Sequence, residues 1–108
     1  MARITRGKRD MGIKAFKKVL DAYEAKNPGA SAELYRQNNA SIRIRIVDEK
    51  FSRMSKPRRH DKVFKFIADE LNDDDLLQEL SILLLLAPSE QDSSTMNMEF
   101  DDPIPSRF

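Results

Sequence analysis

The chain of 108 residues contains no cysteine and no tryptophan, and its single histidine is His60. Without cysteine it cannot form a disulfide, use a thiolate nucleophile or build a zinc or iron–sulfur centre from its own thiolates. Chemistry near neutral pH that needs a soft or titratable side chain must therefore use His60 or groups supplied by a partner. The absence of cysteine is also compatible with a reducing compartment.

Long apolar segments are also missing. The first twelve residues, MARITRGKRDMG, lack the apolar core of a secretory signal, and the longest apolar run, Ile82–Ala87, is far too short to span a bilayer. Hydrophobic residues make up 40% of the chain and charged residues 34%. We therefore expect one small cytoplasmic domain with a modest core and no membrane association.

Acidic residues are the minority among the charged residues of the first part of the chain, and basic residues are nearly absent from the second part. Residues 1–65 hold 18 lysines and arginines against 7 acidic residues, a balance of +11, whereas residues 66–108 hold one arginine against 11 acidic residues, a balance of −10. Such polarity can attract polyanions to one surface and repel them from another. The alternative is a solvated surface whose two halves partly neutralise each other.

Apolar spacing predicts a helix followed by a β-hairpin. The helix stripe consists of Ile13, Phe16, Val19, Leu20 and Tyr23. Asp10 is its candidate N-cap, and the Asn-Pro-Gly segment at 27–29 predicts its end. Ser31–Gln37 is a weak strand candidate. Ile42–Val47 is a clearer one, because its isoleucines alternate with Arg43 and Arg45, which are expected on the solvent-facing side of the sheet.

A second helix and a third strand are predicted downstream. Pro57 suits the first turn of a helix whose stripe consists of Val63, Phe64, Ile67 and Leu71. Periodicity alone does not separate helix from strand in Leu80–Ala87, and leucine favours helix. The acidic capping segment before the run and Pro88 after it favour a strand that is buried on both faces.

The predicted order is helix, strand, strand, helix, short turn, strand. It indicates an α+β sandwich in which two helices pack on one face of a three-stranded sheet. Residues 1–9 are expected to be a basic flexible arm, and residues 10–90 the folded domain. Residues 91–108 are expected to be an acidic disordered tail, because their apolar residues are few and isolated.

One ordered set of residues resembles a known family. The segment Ile46–Phe51 ends in phenylalanine, Ser55 follows in a loop, and the pair Arg59-His60 opens the next helix. In this order and spacing the sequence resembles the signature of the BolA family. Leu86–Glu90 is similar to the closing segment of that family, and the similarity covers most of the chain.

The resemblance implies a fold close to the type II K-homology (KH) domain, and a non-enzymatic role. BolA-like proteins pair with monothiol glutaredoxins in the handling of [2Fe–2S] clusters, and some regulate transcription. His60 occupies the position of the family histidine that ligates the shared cluster, so it is the expected metal-binding and cofactor-binding residue. Many members carry a second ligand in the loop between the first two strands. Tyr35–Ser41 has neither His nor Cys, so no cluster is expected on the chain alone.

His60 also has a simpler interpretation, as a residue that caps its helix or packs at the edge of the core. A lone histidine lacks the clustered ligands of a self-sufficient metal site. As a ligand, His60 must be neutral and must expose one ring nitrogen.

Nucleic-acid binding is the alternative function, because several basic residues fall on the predicted hairpin and second helix. The candidates are Arg43, Arg45, Arg58, Arg59 and Lys62. Such residues bind DNA or RNA phosphates with an affinity that falls steeply with salt, although they also suit a solvated surface. The GxxG phosphate clamp of KH domains is missing, and Ile42–Val47 has no aromatic residue, which argues against strong single-strand binding. No nucleophile, base and orienting group are spaced as an enzyme requires.

Overall fold

The structure, a computed structural model, describes residues 1–92 and 94–102. These residues form an α+β fold with a mixed four-stranded sheet in the order β1-β2-β3-β4. In chain order the elements are β1 (Arg3–Arg6), α1 (Met11–Lys26), β2 (Ser31–Asn38), β3 (Ser41–Val47), α2 (Lys56–Leu71), α3 (Asp74–Leu77), β4 (Leu80–Leu86) and α4 (Thr95–Asp101). Short 3-10 turns lie at Glu49–Arg53 and Pro88–Glu90.

The sheet has one strand more than the sequence predicted. β2 and β3 form the expected antiparallel hairpin, with Leu34 opposite Ile44, and β4 lies parallel to β3. The additional strand is β1, which pairs parallel to β2 at the other edge. The expectation of a flexible arm is therefore corrected for residues 3–6. This short basic strand has little alternation of its own, and it is held by its pairing and by the Ala2 amide, which donates to Asp21 at 2.7 Å.

The two long helices begin and end where the local sequence predicts. Asp10 accepts from the amide of Ile13 at 3.0 Å at the start of α1, and its predicted stripe is buried. Ser55 caps α2, and Asn72 ends it in the left-handed conformation with φ 48°. In the part of the chain that the structure describes, no helix combines the length and the apolar character that crossing a bilayer requires.

One face of the sheet packs against α1 and α2 and contains the main core. Ile42, Ile44 and Ile46 point to this face and are fully buried there. The leucine-rich run is a strand, as predicted. Its residues alternate between the main core, which includes Leu85, and a smaller core on the opposite face, which includes Leu84 and Leu86.

Helix α4 covers the opposite face of the sheet. Its Phe100 is 1% exposed and packs in a cluster with Tyr35, Leu84 and Leu86. Two expectations are corrected, namely that all helices lie on one face and that the acidic segment is disordered throughout. Phe100 supplies the apolar anchor that orders residues 95–101, while residues 93 and 103–108 of the predicted tail lie outside the described part.

Candidate functional site

His60 lies near the beginning of α2 with its side chain exposed. Its ring stacks on Phe64, one helical turn later, with the ring centroids 5.5 Å apart and the planes 10° from parallel. Residues four apart share one face of a helix, so this contact follows directly from the spacing. The stack orients the imidazole while leaving it accessible to an external group.

A cleft of about 270 Å³ lies beside His60, between the start of α2, strand β4 and the start of α4. Its lining consists of Lys56, Arg59, His60, Leu83–Leu86, Ser94 and Met96. A larger cleft of about 390 Å³ at Asp48 and Lys50 contains no histidine, so the smaller one is the better candidate for metal or proton chemistry.

His60 does not lie in a group of potential metal ligands in the described part of the chain. Across residues 1–92 and 94–102, no three His, Cys, Asp or Glu side chains are grouped closely enough to hold a metal ion. An exposed imidazole can still complete the coordination of a metal whose other ligands come from elsewhere.

Strand β4, at the edge of the sheet, borders the same cleft. It pairs with β3 alone. The carbonyl of Leu86 accepts from the Asp48 amide on the β3 side, at 3.0 Å, whereas the carbonyl of Leu85 accepts from Arg59 at 3.2 Å. Successive backbone carbonyls of a strand point to opposite sides. The carbonyl of Leu83 therefore points outward, in the same direction as the carbonyl of Leu85. An apolar edge of this kind is suited to contact with another chain.

Arg59 is a buried structural residue, contrary to its predicted place on a basic surface. Its side chain is 4% exposed and forms a two-pronged ion pair with Glu90, at 2.6 and 2.9 Å. It also donates to the carbonyls of Met54 and Leu85. Arg59 thus ties the start of α2 to the end of β4. A buried guanidinium is stable only when it is paired, and these acceptors together allow Arg59 to be buried.

Glu90 is the partner that makes this arrangement possible. Hydrogen bonds from Arg59, with a further one from the amide of Ala87 at 2.9 Å, lower the pKa of Glu90 from its ordinary value of 4.5 to about 2. The carboxylate is therefore ionised at any pH near neutrality, and the tie between α2 and β4 persists there.

Arg43 and Arg45 lie on the predicted face of the sheet, but that face is covered by α4 instead of solvent. Arg43 pairs with Glu99 at 2.8 Å, and Arg45 pairs with Asp101 at 2.8 Å. Burial opposes the charge on Arg43, yet its hydrogen bonds to Glu99 and Tyr35 outweigh this effect, so the pKa of Arg43 is raised. The pairing with acidic residues allows α4 to pack on this face.

The five basic candidates consequently do not form one surface. Arg43 and Arg45 lie under α4, Arg59 is buried, and Arg58 and Lys62 are exposed on α2. The first turn of α2 carries basic side chains and no acidic one. Positive charge at the start of a helix is unfavourable with respect to the helix dipole. The exposed basic side chains of this turn lie next to His60.

Sequence reasoning missed the residues that support these positions. Phe64 was predicted in the core stripe, but it is half-buried and stacks on His60, and Phe66 packs against the main core instead. The contacts of Tyr35 and Glu90 were not anticipated. Residues 94–102 did carry a usable signal. Ser94 is a suitable helix cap, and the acidic residues near Phe100 complement the arginines of the hairpin in charge.

Comparison of the chain with protein-family models, with curated proteins and with solved structures gave no match. The BolA-like assignment therefore stays a hypothesis that rests on the resemblance of its residues.

Proposed function

We propose that this protein is a non-enzymatic, BolA-like adaptor of the cytoplasm that pairs with a monothiol glutaredoxin. His60 donates one ligand to a [2Fe–2S] cluster shared with that partner. The observation that carries the proposal is the exposed imidazole, stacked on Phe64 beside the cleft and the apolar edge of β4. The cleft and the edge provide contact area for the partner around the ligand.

The order of the elements from α1 to β4 supports the proposal. It is helix, strand, strand, helix, short helix, strand, and the resemblance implies a KH-like order of this kind. Likeness of fold alone does not specify function, so the argument depends on His60. In this proposal the partner's thiolates hold the cluster, which is cargo between the two proteins, and His60 contributes a neutral ring nitrogen.

The test is to mix the purified protein with a cluster-loaded monothiol glutaredoxin and to record the visible absorption and circular dichroism spectra. We expect the spectra to change on mixing, and His60→Ala to abolish the change. Asp61→Ala is the matched control, because Asp61 is the exposed neighbour of His60 on the same helix, and this variant should behave as the parent does. An unchanged spectrum with the parent protein refutes the proposal.

The alternative proposal is a transcriptional regulator that binds DNA or RNA. The exposed cations Arg58 and Lys62 at the start of α2 support it. Duplex binding through these residues should weaken sharply as salt is raised, and each substitution by alanine should lower the salt dependence. His60→Ala separates the two functions, since it should abolish the spectral change and leave duplex binding intact.

A further inference from the structure

The sheet surface under α4 has an unusual composition for the inside of a protein. It carries Arg6, Tyr35, Arg43 and Arg45, which we call the arginine–tyrosine face. Tyr35 and Arg43 are directly opposite in the β2–β3 pair, and Arg43 donates to the Tyr35 hydroxyl at 3.3 Å. The guanidinium of Arg6 lies 5.0 Å from the centre of the Tyr35 ring.

Helix α4 supplies an acceptor for each arginine of this face. Glu99 pairs with Arg43, Asp101 pairs with Arg45, and the backbone carbonyl of Asp101 accepts from Arg6. The acceptors do not exhaust the face, because the Nε atoms of Arg43 and Arg45 are buried without a hydrogen-bond partner among the described residues. Arg45 also pairs with Glu33 of β2, at 2.9 Å, so part of its charge is neutralised within the sheet, whereas Glu99 of α4 supplies the carboxylate for Arg43.

Helix α4 also supplies an aromatic ring. Phe100 meets the ring of Tyr35 edge-on, with the centroids 4.8 Å apart, and the guanidinium of Arg45 lies 4.6 Å from the centre of the Phe100 ring. The helix thus presents one flat ring flanked by two carboxylates. A nucleotide offers the same combination of a flat ring and a negative charge.

We propose that the arginine–tyrosine face is a binding site for single-stranded nucleic acid and that α4 is an intramolecular cover that occupies it. Displacement of α4 exposes one tyrosine for base stacking and the guanidinium groups of Arg6 and Arg43 for phosphates, while Arg45 keeps its pair with Glu33. Stacking on aromatic side chains combined with cationic contacts to the backbone is the usual mode of single-strand binding. A duplex is a poorer fit, because its bases already stack on each other. The segment Ile42–Val47 has no aromatic residue for base stacking, but Tyr35 on the neighbouring strand β2 supplies one.

The contacts of α4 are consistent with a removable cover. The helix has only seven residues, Met96 and Met98 are 45% and 66% exposed, and the side chain of Asp101 in its pair with Arg45 is 57% exposed. An ion pair with one well-exposed partner is weakened by solvent and salt, whereas the pair of Arg43 with Glu99, at 13% and 27% exposure, is the more buried of the two. Phe100 is the principal apolar anchor, so a competing ligand must replace its ring contact as well as the carboxylates of α4, and a nucleotide can do this with its base and its phosphate. This site does not depend on the adaptor function proposed for His60.

The experiment measures the binding of labelled oligothymidylate by fluorescence anisotropy at one fixed salt concentration. Glu99→Lys/Asp101→Lys removes the acidic contacts of α4 without altering the face. Asp92→Lys/Asp102→Lys is the control, because it makes the same change in net charge at two exposed residues. We expect the first variant to bind about tenfold more tightly than both the parent and the control. An equal gain in both variants would reflect net charge alone and overturns the proposal.

Two further measurements test the single-strand assignment. Within the released variant, Tyr35→Leu should return the affinity towards that of the parent, with the fold checked by far-ultraviolet circular dichroism. A duplex of the same length should gain much less than the single strand. An unchanged affinity in the Tyr35 variant, or an equal gain for the duplex, refutes the stacking site. If the lysine variant does not fold, Glu99→Gln/Asp101→Asn tests the same point, and no gain in that variant refutes the cover.

Discussion

The ion pair between Arg59 and Glu90 allows a quantitative test of how the start of α2 is held. In Glu90→Gln the remaining oxygen can keep the two bonds that Oε1 accepts, from Arg59 and from the amide of Ala87. The second bond of Arg59, to Oε2, is lost together with the negative charge. A hydrogen bond to a charged group contributes about 1.5–3 kcal/mol, and breaking a fully buried ion pair costs about 3–5 kcal/mol. Because the Glu90 side chain is 33% exposed, we expect a loss of about 2–3 kcal/mol in the free energy of unfolding.

The assay is urea denaturation at neutral pH and again in acid. The pKa of Glu90 in the folded protein, about 2, is below its ordinary value of 4.5. The ionised carboxylate therefore stabilises the folded state fully above pH 4.5, and this contribution disappears as the pH falls to about 2. The difference between parent and variant should therefore shrink from about pH 5 to about pH 2.

The matched control for this test is Glu70→Gln. The pair of Glu70 with Lys26 is longer, at 3.7 Å, and both side chains are well exposed, so the change should cost less than about 0.5 kcal/mol. A loss in Glu90→Gln no larger than this control, or one that is the same at both pH values, would show that the reasoning is wrong.

Three other changes test single positions. Gly7→Ala should destabilise the protein by about 1–2 kcal/mol, because φ is +80° and the new Cβ would lie 2.6 Å from the carbonyl oxygen of Arg36. Amide hydrogen exchange in β1 should increase, and an exchange rate equal to that of the parent protein contradicts this prediction. Asn72→Ala should lower the free energy of unfolding by about 1 kcal/mol in thermal denaturation, since φ is 48°, whereas Asn72→Gly should not. Burial, with the nearby charge of Asp48, raises the pKa of Tyr23 from 10.0 to about 12, so its stabilisation disappears as the pH rises through that range. Tyr23→Phe should therefore make the alkaline fall in stability shallower in denaturant titrations, and an equally steep fall refutes this.

The resemblance made His60 the candidate site residue, but only the structure shows how its ring is presented. A helix beginning near Pro57 followed from local signals, and the spacing of His60 and Phe64 places both on one face. The exposure of the ring and the cleft beside it depend on where β4 and α4 lie. The same holds for Arg59, whose position in the sequence is similar to that of Arg58. It is buried because Glu90, 31 positions later, comes within hydrogen-bonding distance.

The sequence by itself determined the helices α1 and α2, the hairpin, and the strand that ends before Pro88. Each depends on signals within a few residues, namely apolar period, caps and breakers. Only the tertiary structure decided that β1 joins the sheet and that α4 covers the side of Arg43 and Arg45. Glu99 lies 56 positions from Arg43, and β1 gains its stability from β2 rather than from its own residues. Such contacts leave no periodic pattern in the local sequence. They stabilise the fold only when segments that are distant in the chain are already packed together.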